Sequence, residues 1–401
     1  MIESLQDLSS QISKMGGHLT CFYGHNNSIV SNLIKHLEIN VVGFNADYSP
    51  YAIQRELGII QICDKMGVAV EYGHDYYLYT PGSIVNGTGN PYQKFTPYYN
   101  VASKKKVDLP ASQRKIHFSS TSKHMEHTIS LDDALKRFTK VNPNILVHGG
   151  RINAIHQLKI ASKTQSHYAK THDDLDKPTS QLSAYINFGC LSIREVHKIF
   201  KKNKEFIRQL IWGSFYINIL YNYPDIIHKS LRPKYDKIKW HNNENWFNKW
   251  CDGKTNFPIV DACMNQLNKI GFLHGRGRLI VSSFLVKTML INYKKGEQYF
   301  ANKLTDYNIS NNLNNWMWIT GNGASSQEYF RIFNPWSQSL EHDPEATYIK
   351  KWLPQLNEVP AKAIHNWDTE WENYKHVNYG KPILDYAEQK EKCLKMYRDA
   401  L

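Results

Sequence analysis

Two adjoining stretches decide the fold of this 401-residue chain: residues 271–300, GFLHGRGRLIVSSFLVKTMLINYKKGEQYF, and residues 304–336, LTDYNISNNLNNWMWITGNGASSQEYFRIFNPW. From Leu279 the first is apolar nearly all the way round, with Ile280, Val281, Phe284, Leu285, Val286, Met289, Leu290 and Ile291 leaving no polar face. That pattern predicts a helix buried on most sides, and such a helix needs a second layer to cover it. Yet Arg276 and Arg278 open it, Lys287 interrupts it, and Asp306, Asn308 and a run of asparagines follow. Polar groups beside a buried core are costly unless they pair with each other or with a ligand. A binding site is therefore expected here.

Outward from this stretch the chain divides. Beyond Gly149-Gly150 the periodicity is helical throughout, which predicts an all-α domain over 146–401. Upstream, residues 1–16 read as a helix ending at Gly16-Gly17. A short strand (18–23), a helix (28–37), the strand VVGFN, a helix (50–66) and the strand VAVEYG follow. This alternation predicts a parallel-sheet α/β domain over 1–103. Residues 104–145 form a linker: from Lys104 to Thr128 the sequence is rich in Lys, Ser, His and Gln without periodicity, and Ser130 with Asp132 and Asp133 then reads as a capped helix start.

The formal charge of +13 points to a polyanionic partner, nucleic acid before others, although lysine-rich proteins that bind none are also basic. Aromatic residues make up 13% of the chain, with 10 Trp and 25 Tyr; they suit base stacking, flavin chemistry or simply an aromatic core. The six cysteines are scattered without C-x-x-C spacing, so they read as reduced, unmetallated thiols. No apolar run reaches membrane-spanning length and no secretory signal is visible, so an intracellular protein, cytoplasmic or nuclear and not secreted, is expected.

In the two opening stretches, the patterns GFxHxRxRxxVxSFLVKxxLI, GExYFxxxLxDY and NNWxWxxGxGxxxxxYFRIFNPW resemble the photolyase/cryptochrome flavoprotein family, and the resemblance extends over almost all of the chain. It implies a Rossmann-like N-terminal domain, here shortened because the family's opening strand motif is absent, and a larger helical FAD-binding domain. A sheet lacking strands exposes unpaired edges, so a second polypeptide that completes the domain is a possible partner; otherwise a monomer is expected. Residues 47–56 do not match the pigment-holding positions of the folate-binding branch, which gives no support for a second, antenna chromophore.

The resemblance also assigns residues. Tyr168, Thr179, Ser180, Leu182 and Ser183 match positions that hold the flavin and its pyrophosphate, where the residues alone leave a plain helix N-cap open. Arg278 and Asp306 match an ion pair beside the flavin ring, and Asn308 stands for a second aspartate. Asn312 matches the asparagine facing the reactive flavin nitrogen, with Asn315 beside it. Trp316, Tyr293 and Trp240 match three tryptophans that carry electrons to the flavin, the middle one replaced by tyrosine. Trp212 and Trp318 match the two walls around a flipped-out cyclobutane pyrimidine dimer, and Arg276 a phosphate contact at the rim. Gln209, Gly213 and Gly275 stand where dimer photolyases carry Glu, Arg and Asn; the missing Arg at 213 removes a phosphate contact, which predicts weaker DNA binding. The implied function is light-driven repair of pyrimidine dimers in DNA by a deoxyribodipyrimidine photo-lyase. The alternative is a non-repairing flavoprotein, or a cryptochrome-like protein that binds DNA or senses light.

Overall fold

A computed structural model of the chain describes residues 1–110, 116–119 and 125–401. Its N-terminal part alternates helix and strand: α1 (Ile2–Lys14), α2 (Asn26–His36), β1 (Val41–Asn45), α3 (Pro50–Lys65), β2 (Ala69–Gly73) and α4 (Phe95–Ala102). β1 and β2 pair in parallel with Val41 opposite Ala69. Helix α3 starts where the sequence allows: the Ser49 hydroxyl accepts from the Ala52 amide, and Pro50, which has no amide to lose, occupies the first turn. The expected strand at 18–23 does not form. Its backbone instead meets residues 127–129, as an isolated antiparallel bridge between Phe22 and Thr128.

Of the expected linker, residues 111–115 and 120–124 lie outside the described residues, and α5 (Leu131–Phe138) follows the Ser130 cap. The remainder is helical: α6 (Arg151–Thr164), α7 (Tyr168–Thr171), α8 (Ser183–Asn187), α9 (Ile193–Phe200), α10 (Lys204–Asn222), α11 (Glu244–Cys251), α12 (Pro258–Ile270), α13 (Gly275–Ser283), α14 (Tyr293–Lys303) and α15 (Ile309–Thr320). Then come α16 (Pro335–His342), α17 (Thr347–Trp352), α18 (Ala361–Ile364), α19 (Trp367–Glu370) and α20 (Tyr386–Ala400).

The apolar run predicted as one buried helix is α13 continued by a π-helical turn, Phe284–Thr288, and Val281, Leu285, Val286, Met289 and Ile291 are fully enclosed. The turn carries Lys287, itself fully buried, whose Nζ donates to the Tyr329 carbonyl at 2.8 Å and lies 4.2 Å from the Tyr397 ring centroid on α20. Burial pushes this ammonium down to about 8. The covering layer is α12, α14, α15 and α20. Helix α15 is capped by the Asn308 side chain at one end and by Gly321 in the left-handed conformation at the other.

Helix α1 fastens the N-terminal part to the helical part. Asp7 accepts from the Arg151 amide at 2.6 Å and Glu3 from the Gly149 amide at 2.6 Å, so two carboxylates cover the electropositive start of α6. Further along, the Gly82 amide donates to Asn218 on α10 at 2.8 Å. The segment between β2 and α4 is thereby seated on the helix that carries Trp212.

Candidate functional site

One cavity of about 650 Å3 opens among α10, α13, α15 and the segment from Tyr168 to Asn187. Tyr168, Thr179, Ser180, Leu182 and Ser183 line it from that segment. Gln209 and Trp212 line it from α10, and Gly275, Arg276 and Arg278 from α13. Asp306, Asn308, Asn312, Asn315, Trp316 and Trp318 come from the chain leading into and along α15. The helical period explains why so many asparagines of one run share the wall: positions 308, 312 and 315 fall on one side of α15.

Tyr293 and Trp240 are not part of the lining. Tyr293 is buried beside Asn322 and Ser230, and burial pushes the phenol up to about 12. Trp240 is half-buried against Tyr397, ring centroids 6.3 Å apart. Trp316 meets Phe300 at 5.1 Å and Trp250 at 6.3 Å.

Charge is confined to a few pairs. The Arg278 guanidinium donates to both oxygens of Asp306, at 3.0 and 2.9 Å, and Asp306 also accepts from the Ser183 hydroxyl at 2.7 Å. One carboxylate thus ties α8 to α13. Arg276 is held by Asp173, with Nε to Oδ1 at 3.2 Å and a guanidinium nitrogen 2.6 Å from Oδ2. Burial pushes the Asp173 carboxyl up, but hydrogen bonding from Arg276 and the charges of Arg276 and His172 outweigh it and hold it below the usual range. Arg276 is therefore not an unattached cation at the rim.

Asn312 is oriented by a residue that the sequence reading missed. Its amide nitrogen donates to the Glu297 carbonyl at 3.1 Å and to Glu297 Oε1 at 3.0 Å, so Oδ1 is the amide atom left for other partners. The Tyr307 hydroxyl donates to the same carboxylate at 3.3 Å. Burial pushes Glu297 up, and these two hydrogen bonds offset it in part. Glu297 sits in the quoted GEQYF segment, but nothing in its local spacing announces a partner on the next helix.

Trp212 is likewise held by a missed residue, Phe95 on α4, whose ring lies face to face with the indole at a centroid separation of 3.6 Å. The other tryptophan of the wall, Trp318, is half-buried two residues beyond Trp316. Gln209, Gly275 and Asn315 are exposed, which places them at the cavity mouth.

The residues present suit an FAD. The cavity is long in hydroxyl and amide groups and contains only paired charges. The Thr179 hydroxyl in its wall is buried without a hydrogen-bond partner, a group that a ligand would satisfy. Among the described residues no helix is long and apolar enough to cross a membrane.

Comparison with known proteins identifies the family. The profile for the FAD binding domain of DNA photolyase matches residues 206–399, and that for DNA photolyase matches residues 1–114. A deoxyribodipyrimidine photo-lyase of Buchnera aphidicola is 34% identical over 90% of this chain and 79% of its own length. One of Halobacterium salinarum is 29% identical over 100% of this chain and 87% of its own length. Among solved structures, the archaeal photolyase of Sulfolobus tokodaii, described with two FAD molecules and a novel light-harvesting cofactor, superposes with a TM-score of 0.86 at 32% identity, over 99% of this chain and 87% of that one. A class III photolyase of Agrobacterium tumefaciens superposes at 0.92 with 27% identity, over 100% and 87%. The chain belongs to the DNA photolyase family and carries that family's FAD-binding domain.

Proposed function

We propose that the protein is a light-driven, FAD-dependent lyase that splits cyclobutane pyrimidine dimers in DNA. The observation that carries this reading is that a single cavity gathers the Arg278–Asp306 pair and the oriented Asn312 amide together with two partly buried indoles, Trp212 and Trp318. The relatives named deoxyribodipyrimidine photo-lyase support the same assignment.

In this reading Tyr168, Thr179, Ser180, Leu182, Ser183, Arg278, Asp306, Asn308 and Asn315 would hold FAD, which when reduced and excited by light would supply one electron to the dimer and recover it after ring opening. The protein positions and solvates. Glu297 holds the Asn312 amide nitrogen, so Asn312 Oδ1 presents an acceptor to a protonated ring nitrogen and favours the reduced cofactor. Trp212 and Trp318 flank a dimer that has left the base stack, since a flat apolar wall compensates the stacking it loses. Gln209 and Gly275 form the mouth; neither adds charge. Trp316, Tyr293 and Trp240 are the residues that would carry electrons during photoreduction.

At the N-terminal end, both strands keep a free edge among the described residues, with Val41 50% and Tyr72 56% exposed. A strand from a second polypeptide is the partner chemistry that suits such an edge.

The test is repair of a thymine-dimer oligonucleotide under near-UV or blue light, with protein of known flavin content reduced chemically beforehand. Repair above the dark control is expected. Absence of repair with FAD fully bound would move the assignment to a non-repairing, cryptochrome-like flavoprotein, the reading that the uncharged Gln209 and Gly213 favour.

A further inference from the structure

We infer that Phe95 is a positioning residue for substrate recognition, and that residues 92–95 form a strap that fixes the plane of the Trp212 indole. The inference rests on the reading of Trp212 as a wall of the dimer pocket.

Among the described residues, three rings bound Trp212. Phe215 and Tyr216, at 5.6 and 5.2 Å, sit on the same helix one turn on, so they move with it. Phe95 alone comes from outside α10: its ring lies 3.6 Å from the indole centroid at an interplanar angle of 6°, and it is only 2% exposed. It covers one indole face, while Trp212 itself lines the cavity and Phe95 does not. The Arg208 guanidinium, one turn before Trp212, lies 5.5 Å from the centroids of both Phe95 and Tyr99 and helps to pin the strap on α10.

The strap is anchored at its other side to the chain that follows the second indole. The Phe95 amide donates to Ser325 Oγ at 3.3 Å, and the Ser325 amide donates to the Gln93 carbonyl at 2.9 Å. Ser325 holds φ +50°, a left-handed conformation that costs a non-glycine residue energy and persists where its surroundings enforce it. Gln93 Nε2 also donates to the Tyr223 hydroxyl at 2.9 Å, just past the end of α10. One short segment therefore spans from the helix of Trp212 to the loop after the helix of Trp318. It fixes both the tilt of one wall and its connection to the other, which is what discrimination by shape requires.

The test compares Phe95→Leu, which keeps apolar volume without a ring, with Phe95→Tyr, which keeps the ring, and with Trp212→Ala. The probes are a duplex carrying one thymine dimer and the undamaged duplex of the same sequence; flavin absorbance per chain and melting temperature are read alongside. Phe95→Leu is expected to keep its flavin and its affinity for the undamaged duplex, while its preference for the dimer falls roughly threefold to tenfold, the range in which an aromatic stack acts on an equilibrium constant. Phe95→Tyr is expected to restore it. Should Phe95→Leu fold poorly, Ser325→Ala removes the Oγ acceptor of the Phe95 amide, one of the two anchoring bonds, without touching the ring, and a smaller loss of dimer preference at unchanged flavin content is expected. The inference is overturned if Phe95→Leu, or Ser325→Ala in its place, keeps the dimer preference while Trp212→Ala loses it, or if both duplexes and the flavin are affected alike. If Trp212→Ala also keeps its preference, it is the pocket reading that fails.

Discussion

His274, between the cavity-lining Leu273 and Gly275, shows how a single residue acquires a pH dependence. It caps α13 through Nδ1, which accepts from the Arg276 amide at 3.1 Å, and its Nε2 is buried without a partner. Burial pushes the imidazole down to about 4; Arg278, Arg276 and His172 push the same way and Asp173 opposes them. Between pH about 4 and 6.5 the unfolded chain therefore binds a proton that the folded chain does not, so stability falls as the pH drops through that window, by up to ~3 kcal/mol. Asparagine caps a helix without titrating. His274→Asn should lose less melting temperature than the parent chain between pH 7 and pH 5, and parallel losses in the two proteins would remove His274 as the cause. The residues of the site differ in how readable they were. Asn312, Asn315 and Trp316 stand in one run whose helical period puts them on the cavity, whereas Trp318, two residues beyond Trp316, also lines it without following from that period. Glu297 acts across two helices on Asn312, 15 residues away, and Phe95 reaches Trp212 from another part of the fold, so no local spacing betrays either.

Between elements, the tightest fit at the site is the crossing of α14 and α15. A Cβ added at Gly296 would overlap the six-membered ring of Trp316 and lie 2.6 Å from Leu285 Cδ2, so only glycine lets the two helices approach with the indole between them. Alanine at an exposed helical position would stabilise α14 by about 1 kcal/mol. Here overpacking opposes it at ~1–3 kcal/mol and pushes Trp316 toward the cavity it lines. Gly296→Ala is expected to lower the midpoint of urea unfolding and the flavin retained per chain; an unchanged flavin ratio would mean that Trp316 does not set the shape of the cavity. The same elements mark where the sequence was legible. Helix α3 and its flanking strands announce themselves by the Ser49-Pro50 start and by alternation. The π-turn at Phe284–Thr288 does not, because a run apolar on every side reads alike as α or π; yet this turn carries the Lys287 whose ammonium reaches Tyr329. The segment 18–23 failed as a strand for a different reason: its partner, residues 127–129, is distant in sequence and offers only an isolated bridge.

At the scale of the whole molecule, the proposed function calls on two kinds of interaction with DNA. The net charge of +13 is a property of the entire chain, and attraction to a polyanion acts through counterion release, which weakens steeply with salt. The walls that would face a dimer are indoles and amides: Trp212, Trp318, Gln209 and Asn315 carry no charge, and Arg276, the rim cation, is already paired with Asp173. Affinity and discrimination should therefore respond differently to ionic strength. Raising salt from 50 to 200 mM is expected to weaken binding of both the dimer-bearing and the undamaged duplex by at least about tenfold. The ratio of their dissociation constants should stay within about twofold, because apolar stacking and neutral hydrogen bonds are not screened. Fluorescence anisotropy titrations of the two duplexes at several salt concentrations measure both quantities. Parallel lines in a plot of log affinity against log salt would assign recognition of damage to the neutral pocket. Lines that converge as salt rises would place it in phosphate contacts instead, with Arg276 released from Asp173 as the first cation to substitute.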